Sequence, residues 1–300
     1  MKNWNPVLPA AAVAVLLASA IYSQPEGLRL VGQLSDGSVM LPTGWRIRPA
    51  GQQIATDTFP MASALSPDKR FLAVLHGGYS TPSLVIHEAE TLKSVSRLEL
   101  PDAWLGLRFA PNGRSLFVGG GSKASVYQVS ISTEGKLRLA ATWPLVDGAV
   151  THEDFTGDVA LSPDGRMLYV AMLHRNLIAV VNPQTGKVVE RFKTGRRPYR
   201  ILMHPDGESF FVSAWADGMV LHHRSSNGEI FDRVRVGAMP MDMVWRGAKT
   251  RMEENEAAQP WKARIFVASS NTNTVQVLSV SESREVKRIE NINVALTPMQ

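Results

Sequence analysis

The sequence predicts an all-β protein: a β-propeller of four-stranded antiparallel blades, about five of them full, with half of a closing blade. Three observations carry this. A turn phrase recurs as SPDK (66–69), APNG (110–113), SPDG (162–165) and HPDG (204–207), each followed by an apolar strand such as LFVGG or LYVAM. A second turn series, TEGK, QTGK and SNGE, trails the first by about 21 residues, so each unit of about 42 residues holds two hairpins. No stretch after the N-terminal segment keeps a helical period of apolar residues. Four short strands at that spacing are the mark of a propeller blade.

The turns follow from local chemistry. Proline presets φ for the first turn position, Asp or Asn caps the backbone, and glycine takes the left-handed position. Lys69 stands where the other copies have Gly113, Gly165 and Gly207, at a cost of about 1 kcal/mol if it is left-handed. In the first unit Leu92 occupies the second-turn position. Two segments break the period: 144–157, PLVDGAVTHEDFTG, and the charged 247–262, GAKTRMEENEAAQPWK, which reads as a solvated loop. Residues 39–48, VMLPTGWRIR, read as a hairpin around Gly44 and as the outer strands of the closing blade. The inner strands of that blade are expected from beyond Gln300, so the propeller (21–300) reads as incomplete at its C-terminus.

Lys2 followed by the apolar run from Val7 to Ala20, ending in Ala18-Ser19-Ala20, has the form of a secretory signal peptide over residues 1–20. The run is shorter than the roughly 20 residues that span a bilayer. Export to the periplasm or medium is expected, with no transmembrane segment after cleavage. The 300 residues include no cysteine, which excludes disulfides, thiolate metal sites and cysteine nucleophiles. Lys and Arg number 32 against 27 Asp and Glu, a net charge of +5 without basic blocks, so nucleic acid is not an expected partner.

TGRRPYRILMHPDGESFFVSA and VASSNTNTVQVLSV resemble the YVTN-type seven-bladed propellers of secreted bacterial proteins. LPTGWRIRPAGQQI (41–54), AWLGLRFAPNG (103–113) and INVALTPM (292–299) are similar to one subfamily, the N-terminal propellers of two-domain proteins that carry an alkaline-phosphatase-superfamily phosphoesterase domain. The resemblance implies seven blades in the intact protein and a phosphoesterase domain in cis as partner. It also implies that the catalytic residues lie in that domain, so it assigns no catalytic residue, metal ligand or cofactor here. Met172 and Ala214 depart from the repeat, which often has Asn after the second strand.

Antiparallel strand order puts the first and second turns on one face and the remaining loops on the other, around the channel mouth. THEDF (151–155) offers His152, Glu153 and Asp154 there, as a metal or catalytic group or as a plain polar loop. GRRPYR (195–200) offers Arg197, Tyr199 and Arg200 to a small anion by bidentate pairing. Asp242 lies on the same face as a further candidate ligand-binding residue. Otherwise an arginine pairs with Asp158 or Asp242 of a neighbouring blade. His174 and Trp215 lie in loops of the same face, and Trp215 either stacks on a ligand or packs between blades. His222 and His223 fall in one strand and point to opposite faces. HExxH, GxSxG and a phosphate-cradling loop before a helix are all missing.

Three functions remain: a non-catalytic docking propeller that holds a small anionic ligand or a protein, a metal-dependent propeller hydrolase of lactonase type, and a structural surface-layer module. The leading expectation is the docking propeller.

Overall fold

A computed structural model describes residues 31–48, 50–247 and 261–294, and the expected signal peptide and most of the charged 247–262 loop lie outside these. The chain divides into two units, 1–55 and 56–300. In the first, β1 (Gly32–Gln33), β2 (Val39–Met40) and β3 (Arg46–Ile47) form a small antiparallel sheet. β2 and β3 pair about Gly44 as the hairpin reading expects, and β1 adds a third strand.

The second unit contains five four-stranded antiparallel blades. Blade 1 is β4 (Pro60–Leu65), β5 (Phe71–His76), β6 (Ser83–Glu88) and β7 (Ser94–Glu99). Blade 2 is β8 (Leu107–Phe109), β9 (Ser115–Gly119), β10 (Ser125–Ile131) and β11 (Leu137–Pro144). Blade 3 is β12 (Thr156–Leu161), β13 (Leu168–Met172), β14 (Leu177–Asn182) and β15 (Lys187–Lys193). Blade 4 is β16 (Pro198–Met203), β17 (Ser209–Ala214), β18 (Met219–Arg224) and β19 (Ile230–Arg235). Blade 5 is β20 (Pro240–Arg246), β21 (Trp261–Ser269), β22 (Thr274–Ser281) and β23 (Val286–Asn293). The first strand of each blade packs against the first strand of the next, from β4 through β8, β12 and β16 to β20. The described residues contain no helix.

The apolar core is a series of layers between blades. Leu75 and Ile86 meet Leu116 and Tyr127 between blades 1 and 2, and Trp143 meets Leu168 between blades 2 and 3. Ile178 meets Phe210 between blades 3 and 4, and Phe211 meets Leu278 between blades 4 and 5. Phe210 and Phe211 serve opposite layers because successive strand residues face opposite ways. Middle strands such as β13, LYVAM, are buried on both faces. The outermost β15, KVVERFK, keeps mostly exposed residues.

Both turn series lie in the left-handed region. The first has Lys69 at φ 62°, Gly113 at 67°, Gly165 at 72° and Gly207 at 76°. The second has Leu92 at 59°, Gly135 at 79°, Gly186 at 68°, Gly228 at 71° and Arg284 at 67°. The turn glycines of blades 2 to 4 also pack on the preceding blade. A Cβ on Gly207 would lie 3.2 Å from Pro163, and one on Gly186 would lie 2.4 Å from the Trp143 ring. The Pro-x-Gly phrase thus makes the turn locally and fits the turns together between blades. That is why both residues recur at one spacing.

Candidate functional site

The first strand of blades 1, 3, 4 and 5 carries a β-bulge near its start, between Pro60 and Ala62, Thr156 and Val159, Pro198 and Ile201, and Pro240 and Met243. A bulge re-aims the side chains it contains. Here those include Asp158, Arg200 and Asp242, at equivalent positions of three successive blades. Phe59, Arg197 and Met239, each just before the proline that opens its strand, share a left-handed φ of 53°. Their carbonyls accept hydrogen bonds from the amides of Gly77, Trp215 and Ser270. One backbone device therefore starts three inner strands.

Asp158 is fully buried and bridges blades 3 and 4. Its Oδ1 accepts from Arg200 Nη1 at 3.1 Å and its Oδ2 from the Ile201 amide at 2.9 Å. Arg200 Nη1 also donates to the Leu105 carbonyl at 3.2 Å, and Nε lies 3.5 Å from Asp242 Oδ1. Ser213 Oγ accepts from the Arg200 amide at 3.0 Å and donates to the Met241 carbonyl at 2.9 Å, tying blade 4 to blade 5. Burial opposes the charge on Arg200, but Asp158 and Asp242 outweigh it and raise the guanidinium pKa. Arg108 of blade 2 completes the row, with Nη2 3.9 Å from Asp158 Oδ2.

These groups surround a cavity of about 350 Å³ lined by Pro60, Met61, Ala62, Ser63, Val74, Arg108, Arg200 and Asp242. The Asp242 side chain is 62% exposed and Arg108 38%, whereas Arg200 is 13% exposed. A rigid, buried ion pair thus backs one open carboxylate and one open guanidinium. Asp158 and Asp242 converge on Arg200, a cation already between them, so they present no seat for a metal ion. No group of three His, Asp or Glu side chains suited to a metal occurs among the described residues.

The other sequence-selected residues go elsewhere. In THEDF, Asp154 is buried and accepts from the Thr151 amide and hydroxyl and from Arg175 Nε at 2.9 Å. The Arg175 hydrogen bond, with help from Thr151, holds the Asp154 carboxyl down at about 2. Glu153 lies 3.4 Å from Arg175, and the His152 carbonyl contacts His174 Nδ1 at 3.0 Å. His174 stacks on Phe155, which meets Trp104 edge-on. These contacts shape the loop, and the committed carboxylate of Asp154 leaves no open pair in it. The arginines of GRRPYR diverge rather than form one clamp. Arg196 pairs with Asp217, Arg197 lies over the Trp215 ring at 5.7 Å, and only Arg200 reaches the cavity. Tyr199 is half-buried, and burial pushes its phenol pKa up.

Arg108 was not among the residues singled out from the sequence, because LRF reads as an ordinary alternating strand. Counting back from each turn phrase places Arg108 opposite Ala64 and Ala160, and that contrast is its one sequence signal. His222 and His223 do point apart, one ring stacked on Phe211 and the other on Phe210.

Residues 106–233 match the family model described as a lactonase with a seven-bladed β-propeller, a span of under half the chain. That span includes Arg108, Asp158 and Arg200. No curated protein matches the chain. Among solved structures, a periplasmic gluconolactonase of Pseudomonas aeruginosa is 16% identical with a TM-score of 0.60, covering 88% of this chain and 82% of that one. A protein from Lactobacillus plantarum is 16% identical with a TM-score of 0.62, covering 85% and 77%. The hydrazine synthase of Kuenenia stuttgartiensis is 18% identical with a TM-score of 0.54, covering 80% and 69%. At such identities the likeness is one of fold, and the fold hosts unrelated chemistries.

Proposed function

We propose that this chain is a propeller hydrolase acting on lactones, with its site in the cavity between Arg108, Arg200 and Asp242. The observation that carries the reading is the row Arg108–Asp158–Arg200–Asp242 on four successive blades, the last three of them in strand bulges, with Arg108, Arg200 and Asp242 lining one cavity. The lactonase-family match over residues 106–233 and the fold shared with a periplasmic gluconolactonase support it. They favour it over the docking propeller that the sequence put first.

The chemistry needs no group beyond these side chains. A water held by the Asp242 carboxylate loses a proton to it while its oxygen bonds to the lactone carbonyl carbon. The carbonyl π pair moves onto oxygen, where the Arg108 guanidinium stabilises the charge, with Arg200 fixed behind it. Collapse breaks the ring C–O bond, and the leaving alkoxide takes the proton from Asp242. The product is the open-chain hydroxy acid. Asp158 acts through Arg200 and is a positioning residue. Export to the periplasm, expected from the N-terminal segment, fits the location named for the Pseudomonas protein.

The test is hydrolysis of a panel of γ- and δ-lactones, D-glucono-δ-lactone included, followed by acid release at constant pH. Turnover above the spontaneous rate is expected. Asp242→Asn should lower kcat by about a hundredfold or more, the usual worth of a positioned base. Failure of every lactone to open faster than in buffer overturns the reading.

A further inference from the structure

Blade 5 differs from the others at one buried position. Strand pairing places Val85, Tyr127, Ala179, Leu221 and Gln276 at equivalent sites, two residues into the third strand of blades 1 to 5. Four of these fit an apolar layer. Gln276 is equally buried, at 3% exposure, but sits in a polar network of its own. Its Oε1 accepts from Ser269 Oγ at 2.6 Å, and its Nε2 donates to Thr274 Oγ1 and, at 3.1 Å, to Asn291 Oδ1. Thr274 Oγ1 also contacts Thr272 Oγ1 at 2.7 Å.

A buried amide is costly unless fully bonded, and the leucine of blade 4 packs the same position without that cost. Packing therefore does not explain the glutamine. The network is, however, the floor of a groove of about 460 Å³ between Gly237 and β23. Arg288 and Glu290 stand exposed at its lip. A Cβ on Gly237 would lie 2.4 Å from Thr272 Oγ1 and 2.8 Å from Gln276 Nε2, so glycine keeps this end open.

We infer that this groove is a binding site, separate from the central cavity, for a neutral polyhydroxylated ligand of the sugar class. The Thr272 hydroxyl and the Asn291 amide nitrogen face the ligand with both donor and acceptor capacity, which suits hydroxyl groups that do both. The floor is already bonded in place, so binding need not order it. The lip carries one charge of each sign, and an anion would meet Glu290 while a cation would meet Arg288. An uncharged ligand meets neither penalty, and its vicinal hydroxyls can bridge both.

The test is saturation-transfer NMR and calorimetry on the full chain with methyl α-D-glucopyranoside and methyl β-D-galactopyranoside, with glycine and acetate as charged comparisons. At least one glycoside should bind in the millimolar range, and the charged compounds should not. Gln276→Leu, which installs the residue of blade 4, should weaken binding about tenfold or more, the worth of one or two hydrogen bonds. Asn291→Ala, at an exposed position, gives the same readout while Gln276 stays in place, its Nε2 still bonded to Thr274 Oγ1. Absence of glycoside binding, binding unchanged in both variants, or preference for glycine or acetate each overturns the inference. Lactone turnover is a separate readout and stands or falls independently.

Discussion

Arg200 Nη1 donates to the buried Asp158 carboxylate at 3.1 Å across the boundary between blades 3 and 4, closer than the further charged partner of either residue, Asp242 of blade 5 at 3.5 Å from Arg200 and Arg108 of blade 2 at 3.9 Å from Asp158. The geometry explains why both lie in bulges. A regular strand would aim the two side chains along its own pleat, whereas the bulges turn them toward one another.

Removing Asp158 leaves a guanidinium 13% exposed without its main counter-charge. Breaking such a buried pair costs about 3–5 kcal/mol. Asp158→Ala should lower the urea-unfolding free energy by that much, and a loss below about 1 kcal/mol would show that the pair is better solvated than its burial indicates.

Gly186 and Gly148 separate backbone strain from crowding. Both have positive φ, but a Cβ on Gly186 would sit 2.4 Å from Trp143, while one on Gly148 meets nothing within 4 Å. Gly148→Ala should cost about 1–2 kcal/mol, the left-handed penalty alone. Gly186→Ala should cost distinctly more, and equal costs in thermal melts would refute the packing role of the second turn.

Lys69 gives the converse experiment. It holds φ 62° where the other blades have glycine. Lys69→Gly should stabilise the protein by about 1 kcal/mol, visible as a higher melting temperature. A fall would mean that the lysine side chain contributes more than its backbone loses.

His222 makes folding sensitive to acid. Its ring is buried against Phe211, and burial first, then the neighbouring His204 and His223, lower its pKa from 6.5 to about 4. The folded state holds the neutral ring, and the unfolded chain binds a proton near 6.5. Stability from this group is therefore complete above about pH 6.5 and declines as pH falls toward 4, by at most about 3 kcal/mol. His222→Phe, which keeps the stack, should flatten the stability profile in that window. An unchanged slope would move the effect to His76 and His223, whose pKa values are lowered too.

Much of the scaffold was legible because it is local. The Pro-Asp-Gly turns, the turn positions of Lys69 and Leu92, the period-2 split of His222 from His223 and the extended 144–157 connection each depend on residues close in sequence. The site was legible only in part. Arg200 and Asp242 could be placed on the mouth face from strand order. That Arg197 turns to Trp215 while Arg200 turns inward depends on bulges and on the offset between blades, and Arg108 looked like any strand residue.

By itself, then, the sequence determined the repeating unit: turn chemistry and side-chain alternation act over a few residues and carry the same outcome in each blade. The tertiary structure decided which charges meet. Asp158, Arg200 and Asp242 stand about 42 residues apart along the chain, and their encounter depends on the bulge in each inner strand and the packing of the turn glycines on the blade before them. Those are relations between blades, and no stretch of sequence within one blade contains them.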